Sequence, residues 1–123
     1  MKERYLFKAK RKDNGEWVVG SYINGGFIIK TNHTECVDIF EDTICQCTGL
    51  KDKNDKLIWE NDIIRCKVGT AKVIWNKLEW RIEWLKNNLW RKDLYYWAVE
   101  DIQRTVVIGN IFDNPELVES EEK

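Results

Sequence analysis

"AKVIWNKLEWRIEWL", residues 71–85, carries the clearest periodicity in the chain. Ala71, Val73 and Trp75 occupy alternate positions. Past Asn76-Lys77, Leu78, Trp80, Ile82 and Trp84 alternate with Glu79, Arg81 and Glu83. A helix would bring Trp80 and Trp84 together but send Ile82 to the opposite side, whereas a strand keeps all of them on one face. Trp, Ile and Val also favour strands. The stretch therefore reads as a hairpin. A two-residue loop at Asn76-Lys77 sets Trp75 opposite Leu78 and Val73 opposite Trp80, so the apolar faces coincide. It also sets Lys72 opposite Arg81, an unfavourable pair eased by the diagonal carboxylates Glu79 and Glu83.

The same β reading extends outward from this hairpin. Upstream, Asp13-Asn14-Gly15-Glu16 is a strong hairpin turn, because Asn and Gly tolerate positive φ, and it joins "RYLFKAK" to "EWVVGSYI". A second turn at Asn24-Gly25 pairs Tyr22 with Phe27 and leads into "FIIKT", so residues 4–31 form a three-stranded meander. Residues 35–43 fit a loop, a short helix or a strand. "TICQC" then alternates as a short strand, and "KDKNDK" (51–56) is a turn by composition. Downstream, "KNN" (86–88) is a turn followed by a strand in "LYYWAV", one helical turn near "EDI", and a last strand "TVVIGNIF". Asn114-Pro115-Glu116 starts a short helix, with Asn as N-cap and Pro at the first helical position. From residue 60 onward, five short strands with one helical turn before the last is the order of a small SH3-like β-barrel, which closes sheet edges on themselves. The fold class is thus mainly β, a small SH3-like β-barrel with an N-terminal β-meander segment and little helix. The division falls at 1–48 for the N-terminal segment and 49–123 for the barrel with its short C-terminal helix.

A chain of 123 residues suits one domain or two small lobes. With 43% hydrophobic and 33% charged residues, the composition is that of a globular protein. The net charge of −1 supplies no global field for nucleic acid or an anionic membrane. The charge is unevenly placed, however: Lys2, Arg4, Lys8, Lys10, Arg11 and Lys12 make the head basic, and Asp113, Glu116, Glu119, Glu121 and Glu122 make the tail acidic. No apolar run spans a membrane and no signal-peptide core is present, so the expected location is the cytoplasm, with Cys36, Cys45, Cys47 and Cys66 as reduced thiols.

The residues that could carry chemistry form no catalytic pattern. His33, Cys36, Cys45 and Cys47 are spaced H-x2-C-x8-C-x-C, which lacks the paired C-x2-4-C knuckle of structural zinc, although a strand at 45–47 would put two of the thiols on one face. Asp52-Lys53-Asn54-Asp55-Lys56 has the alternating oxygens of a calcium loop, but Leu57 stands where that loop needs Gly. A single histidine and no Ser-His-Asp set argue against acid–base or nucleophilic catalysis. Glu60, Asp62 and Asp101 are read as turn and cap carboxylates. No catalytic, cofactor-binding or metal-binding residue is assigned.

The aromatic residues are more telling. Trp75, Trp80, Trp84, Trp90, Tyr95, Tyr96 and Trp97 crowd a short span and are interleaved with charges of both signs. Core and protein interface is the first reading, with Trp90, Tyr95 and Trp97 as the candidate aromatic surface. Nucleic-acid binding on an aromatic platform is the alternative. Because an unpaired "RYLFKAK" edge invites another chain, Tyr5, Phe7 and Trp17 are the candidate interface of a homo-oligomer.

Three stretches also carry a family pattern. "CTGLKDKNDKLIWENDIIR" resembles the T-G-L-x-D-x-x-G-x-x-I-x-E-G-D-I-V signature of the YopX family of phage and prophage proteins. "VVIGNIFDNPELV" is similar to that family's closing V-I-G-N-I-x-x-N-P-E-L, and "YLFKAKRKDNGEWVVG" to its opening F-R-x-W-x-x-x-x-x-x-M-x-x-G. Asp55 and Asn61 replace two glycines of the pattern, and Lys10 replaces an aromatic; Asp and Asn are the next-best residues for left-handed backbone. The resemblance implies a turn leading into a barrel strand at Asp62–Cys66 and an origin in phage or prophage. It also implies packing and turn roles for Gly49, Leu50, Ile58, Ile63, Gly109 and Ile111. It supplies no activity. The expected function is that of a non-enzymatic accessory protein contacting an unknown phage or host protein, without cofactor or membrane.

Overall fold

The computed structural model describes residues 5–23, 27–30, 36–76, 79–85, 91–100 and 105–122. It is mainly β, with two antiparallel sheets and little helix. The chain divides into two compact units, residues 1–49 and 50–123.

The first unit begins with the hairpin of β1 (Phe7–Lys10) and β2 (Trp17–Ile23). Its turn forms as its composition requires. Gly15 has φ +74°, its N–H donates to the Arg11 carbonyl, and the Asn14 side chain accepts from Glu16 N–H. β3 (Phe27–Lys30) and β4 (Cys36–Asp38) follow, then a 3-10 turn at Glu41–Thr43 and β5 (Cys45–Lys51). The sheet order here is β4-β3-β2-β1-β5. The three-stranded meander stands, with its second register moved by one residue. Tyr22 lies opposite Ile28 and Ile23 opposite Phe27, so a three-residue connection replaces the expected two. The Asn24-Gly25 turn itself lies outside the described residues.

β1 is an interior strand, contrary to the expectation of an open edge. Phe7 and Lys8 pair with Gln46 and Cys45 of β5 on the side away from β2. The sheet also curls. Phe40 N–H donates to Lys10 O and Lys12 N–H to Asp38 O, so the end of β4 and the residues just past it bond the end of β1 and the residues just past it. Thr43 fixes this return, its hydroxyl accepting from Lys10 N–H and donating to Phe40 O. Ala9, Val18, Ile28, Val37 and Ile39 fill the curl, with Phe7, Tyr22 and Ile44 against them.

In the second unit, the end of β5 pairs with β6 (Leu57–Trp59) across the Asp52–Lys56 loop. β7 (Asp62–Cys66), β8 (Gly69–Asn76), β9 (Glu79–Trp84) and β10 (Val106–Asn110) form a sheet in the order β10-β7-β8-β9. β7 has the bounds expected for the first strand here. The β8–β9 hairpin is present with its register moved by two residues. Trp75 lies opposite Trp80, Val73 opposite Ile82 and Lys72 opposite Glu83. A two-residue shift keeps Trp80, Ile82 and Trp84 on the face shared by Ala71, Val73 and Trp75. It also replaces the repulsive Lys72–Arg81 pair with a Lys72–Glu83 ion pair at 3.9 Å. The connection becomes residues 77–78, outside the described residues.

"LYYWAV" is helical rather than a strand. Leu94, Trp97 and Ala98, spaced i, i+3 and i+4, are all buried, and a π-helical turn runs from Tyr96 to Glu100. They join Ile58, Ile64, Cys66, Ala71, Val73, Ile82 and Val107 in the second core. The helical turn expected near "EDI" falls mostly outside the described residues. α1 (Pro115–Glu122) follows Asn114 as its cap residue, whose carbonyl accepts from Leu117 N–H. No helix among the described residues is long and apolar enough to cross a membrane.

Candidate interaction surface

The polar residues of the two most specific sequence motifs are taken up by the backbone around them. Asp52, 2% exposed, accepts from Asn54 N–H (2.9 Å) and Lys56 N–H (3.0 Å) through Oδ1, and from Val107 N–H (2.9 Å) through Oδ2. The next residue repeats the contact, Lys53 N–H donating to Thr105 O. Asp62 is equally buried and accepts from Trp59 N–H at 2.8 Å. One carboxylate therefore ties the loop to β10 and the other closes the turn into β7.

That turn needs Asn61 at φ +70°, and the loop needs Asp55 at φ +65°. These are the two positions where the family pattern has Gly, and Asn and Asp bear left-handed backbone better than other side chains. In the closing segment, Asn110 Oδ1 accepts from Phe112 and Asp113 N–H, and Asn114 Oδ1 accepts from Asn110 N–H. A Cβ on Gly109 would overlap the Asn114 amide, with Cγ at 2.7 Å, so a side chain cannot stand there without moving that amide. Finally, Ile111 N–H donates to Asn61 O, and Gly109 and Asn110 pair with Ile63 and Asp62. The two motifs are thus folded against each other as turn and ladder chemistry.

The candidate metal and acid residues do not converge. Among the described residues no three His, Cys, Asp or Glu side chains are grouped to hold a metal ion. Cys36 is exposed on β4, while Cys45, Cys47 and Cys66 are buried free thiols; His33 and Asp101 lie outside the described residues. Cys36 borders a cleft of about 280 Å³ lined also by Arg11, Lys12, Asp13, Val37 and Asp38. Its charges are internally matched, Arg11 to Asp13 at 2.9 Å and Lys12 to Asp38 at 3.8 Å. The Arg11 guanidinium, first by its hydrogen bond, holds the Asp13 carboxyl below its ordinary range. Partial burial, then the charge and hydrogen bond of Glu41, raise the Tyr22 phenol above its usual value.

The expected N-terminal interface, Tyr5, Phe7 and Trp17, does not form one patch. Tyr5 is 54% exposed. Phe7 packs inward, its ring 5.9 Å from that of Tyr22. Trp17 is opposite Lys10 and therefore on the other face from Phe7, with Lys8 Nζ 4.6 Å and Lys10 Nζ 5.4 Å from its ring. The expected aromatic surface likewise separates. Trp97 is 2% exposed and belongs to the core, because helical spacing turns it inward, and its Nε1 donates to Arg91 O. Tyr95 is 58% exposed on the same turn, and Trp90 lies outside the described residues.

What the second unit does present is a graded aromatic face. Trp97 packs edge-on against Trp84 (5.5 Å) and Tyr96 (4.7 Å), and the Arg91 guanidinium sits 4.4 Å over Tyr96. Along the same face of β9, Trp80 leans on the core and meets Trp75 edge-on at 5.1 Å. Trp75, at the open end of the hairpin, is 50% exposed. Alternation in the sequence places Trp75 on the apolar face, and only its nearness to the turn signals that the core has run out beneath it. The opposite face is charge-balanced, with Lys72 bonded to Glu83 and Arg81 to Glu79.

The model of the YopX protein family matches residues 3–119. No curated protein matches. Among solved structures the chain is similar to the crystal structure of protein EF1440 from Enterococcus faecalis. The identity is 24%, covering 91% of this chain and 96% of that one, with a TM-score of 0.55. At that identity the likeness is one of fold.

Proposed function

The chain belongs to the YopX protein family, and we propose that it is a non-enzymatic phage or prophage accessory protein acting through protein–protein contacts in the bacterial cytoplasm, as a homo-oligomer. We read its second unit as an SH3-like barrel opened between β9 and β10, with the helical turn at 94–100 preceding the last strand. One observation carries the functional reading. The buried motif carboxylates accept hydrogen bonds from the backbone, while Trp75 and Tyr95 stand half exposed on the second unit. Exposed Trp and Tyr are the side chains that anchor protein interfaces. The matched charges behind the hairpin disfavour the nucleic-acid alternative, since phosphate binding needs an excess of cations.

The test is affinity capture from phage-infected cells with wild type, Trp75→Ala and Tyr95→Ala. A partner retained by wild type and lost from the variants, with their circular dichroism unchanged, supports the reading. Salt-sensitive binding of single-stranded DNA by wild type, lost from the same variants, would replace it with the nucleic-acid reading.

A further inference from the structure

The charges of the second unit balance behind the β8–β9 hairpin but not at the end where β10 begins. Arg65 stands on β7 opposite Val106, and Lys67 follows it in the turn that closes Cys66 on Gly69. The Asp52–Lys56 loop meets the same end, because Lys53 N–H donates to the carbonyl of Thr105, the residue before Val106. Lys56 closes that loop, its carbonyl accepting from Asp52 N–H. Lys53, Lys56, Arg65 and Lys67 are all exposed, and none meets a carboxylate among the described residues. The carboxylates of the loop are already engaged. Asp52 is buried and accepts from three backbone N–H groups, and Asp55 faces Lys51 at 3.5 Å. Val68 and Val106 lie half-buried beside these cations, Val68 resting on the core.

We propose that this end of the second unit is a docking surface for an acidic segment of a partner protein, carrying an apolar side chain among its carboxylates. The inference rests on the protein-contact reading above and names the chemistry of one partner. Charge complementarity carries it. Like charges gathered at one end repel, and carboxylates of a partner relieve that repulsion while steering the encounter. An apolar side chain between the carboxylates covers Val68 and Val106, which supplies the affinity that exposed ion pairs lack. Nucleic acid fits this end less well. Single-strand sites combine cations with rings on which bases stack. Trp75 lies six residues along β8 from Gly69, about 20 Å away at roughly 3.3 Å per residue, so it cannot stack a base whose phosphate sits at this end. The chain's net charge of −1 adds no long-range attraction for a polyanion.

The experiment compares full-length wild type with three double variants, each losing two positive charges. Lys53→Gln/Arg65→Gln and Lys56→Gln/Lys67→Gln remove unmatched cations, whereas Lys72→Gln/Arg81→Gln removes two that are already matched within the hairpin. Binding is read by fluorescence anisotropy with two labelled probes, a peptide of alternating glutamate and leucine, and oligothymidylate; circular dichroism checks that each variant is folded. Wild type and the matched-cation variant are expected to bind the peptide alike, and a folded variant at the cationic end to bind it about tenfold more weakly. Absence of peptide binding by wild type, or equal weakening in all three variants, overturns the proposal. Oligothymidylate bound more tightly than the peptide, and lost from the same variants, overturns it in favour of nucleic acid. Capture through Trp75 and Tyr95 is measured separately, so failure at this end leaves the protein-contact reading standing.

Discussion

Asp52→Asn changes one atom of the carboxylate and leaves its shape intact, so it isolates the hydrogen bonds of the buried loop. In wild type Oδ1 accepts from Asn54 and Lys56 N–H and Oδ2 from Val107 N–H. An amide offers one acceptor. If its oxygen keeps the two loop N–H groups, its NH₂ faces Val107 N–H, donor against donor, in a site 2% exposed. The reverse orientation opposes two N–H groups instead of one. A buried group left unsatisfied costs about 1–3 kcal/mol, so the variant should lose about 1–3 kcal/mol. That is a large share of a domain stability of about 5–15 kcal/mol. Urea unfolding followed by tryptophan fluorescence measures it, provided the slope with denaturant is unchanged. Asp55→Asn in the same loop is the control, because Asp55 is exposed and Asn also bears positive φ; it should stay within about 0.5 kcal/mol. A loss for Asp52→Asn no larger than the control's would refute the reasoning.

Asn61→Ala should be about 1 kcal/mol less stable than Asn61→Gly in the same urea assay, because φ +70° is strained for Ala and free for Gly; equal midpoints would contradict the turn. A thiol reagent should label Cys36 alone in native protein and all four cysteines in denaturant, as read by mass spectrometry. Asp13 should titrate by carboxyl NMR below 3.8, since Arg11 favours its charged form. The folded value is the depressed one, so the stabilisation is present above 3.8 and is lost as pH falls through the folded value.

Strands announced by a strong local signal were legible in the sequence. Asn14-Gly15 located the first hairpin, alternation located β8 and β9, and the motif located β7. Registers were less so. Faces in the β8–β9 hairpin are preserved by a two-residue shift, so hydrophobic pattern alone could not choose between the registers; the Lys72–Arg81 repulsion was the readable clue. In "LYYWAV" the strand expectation fails because alternation and helical spacing overlap in so short an aromatic run. Leu94, Trp97 and Ala98 at i, i+3 and i+4 were the better guide. The pairing of β1 with β5 joins residues about forty apart, and no local pattern encodes it. The same holds for Asp52 and Val107, so the carboxylate that looked like half of a calcium loop proved to be a backbone clasp. Exposure of single aromatics followed from these long-range contacts and was not legible beforehand.

The most direct measurement is the mass in solution of the unmodified full-length protein, by light scattering over a range of concentrations up to tens of micromolar. A mass that rises above one chain as concentration increases is what a self-assembling contact protein predicts. A single-chain mass throughout the range would contradict it.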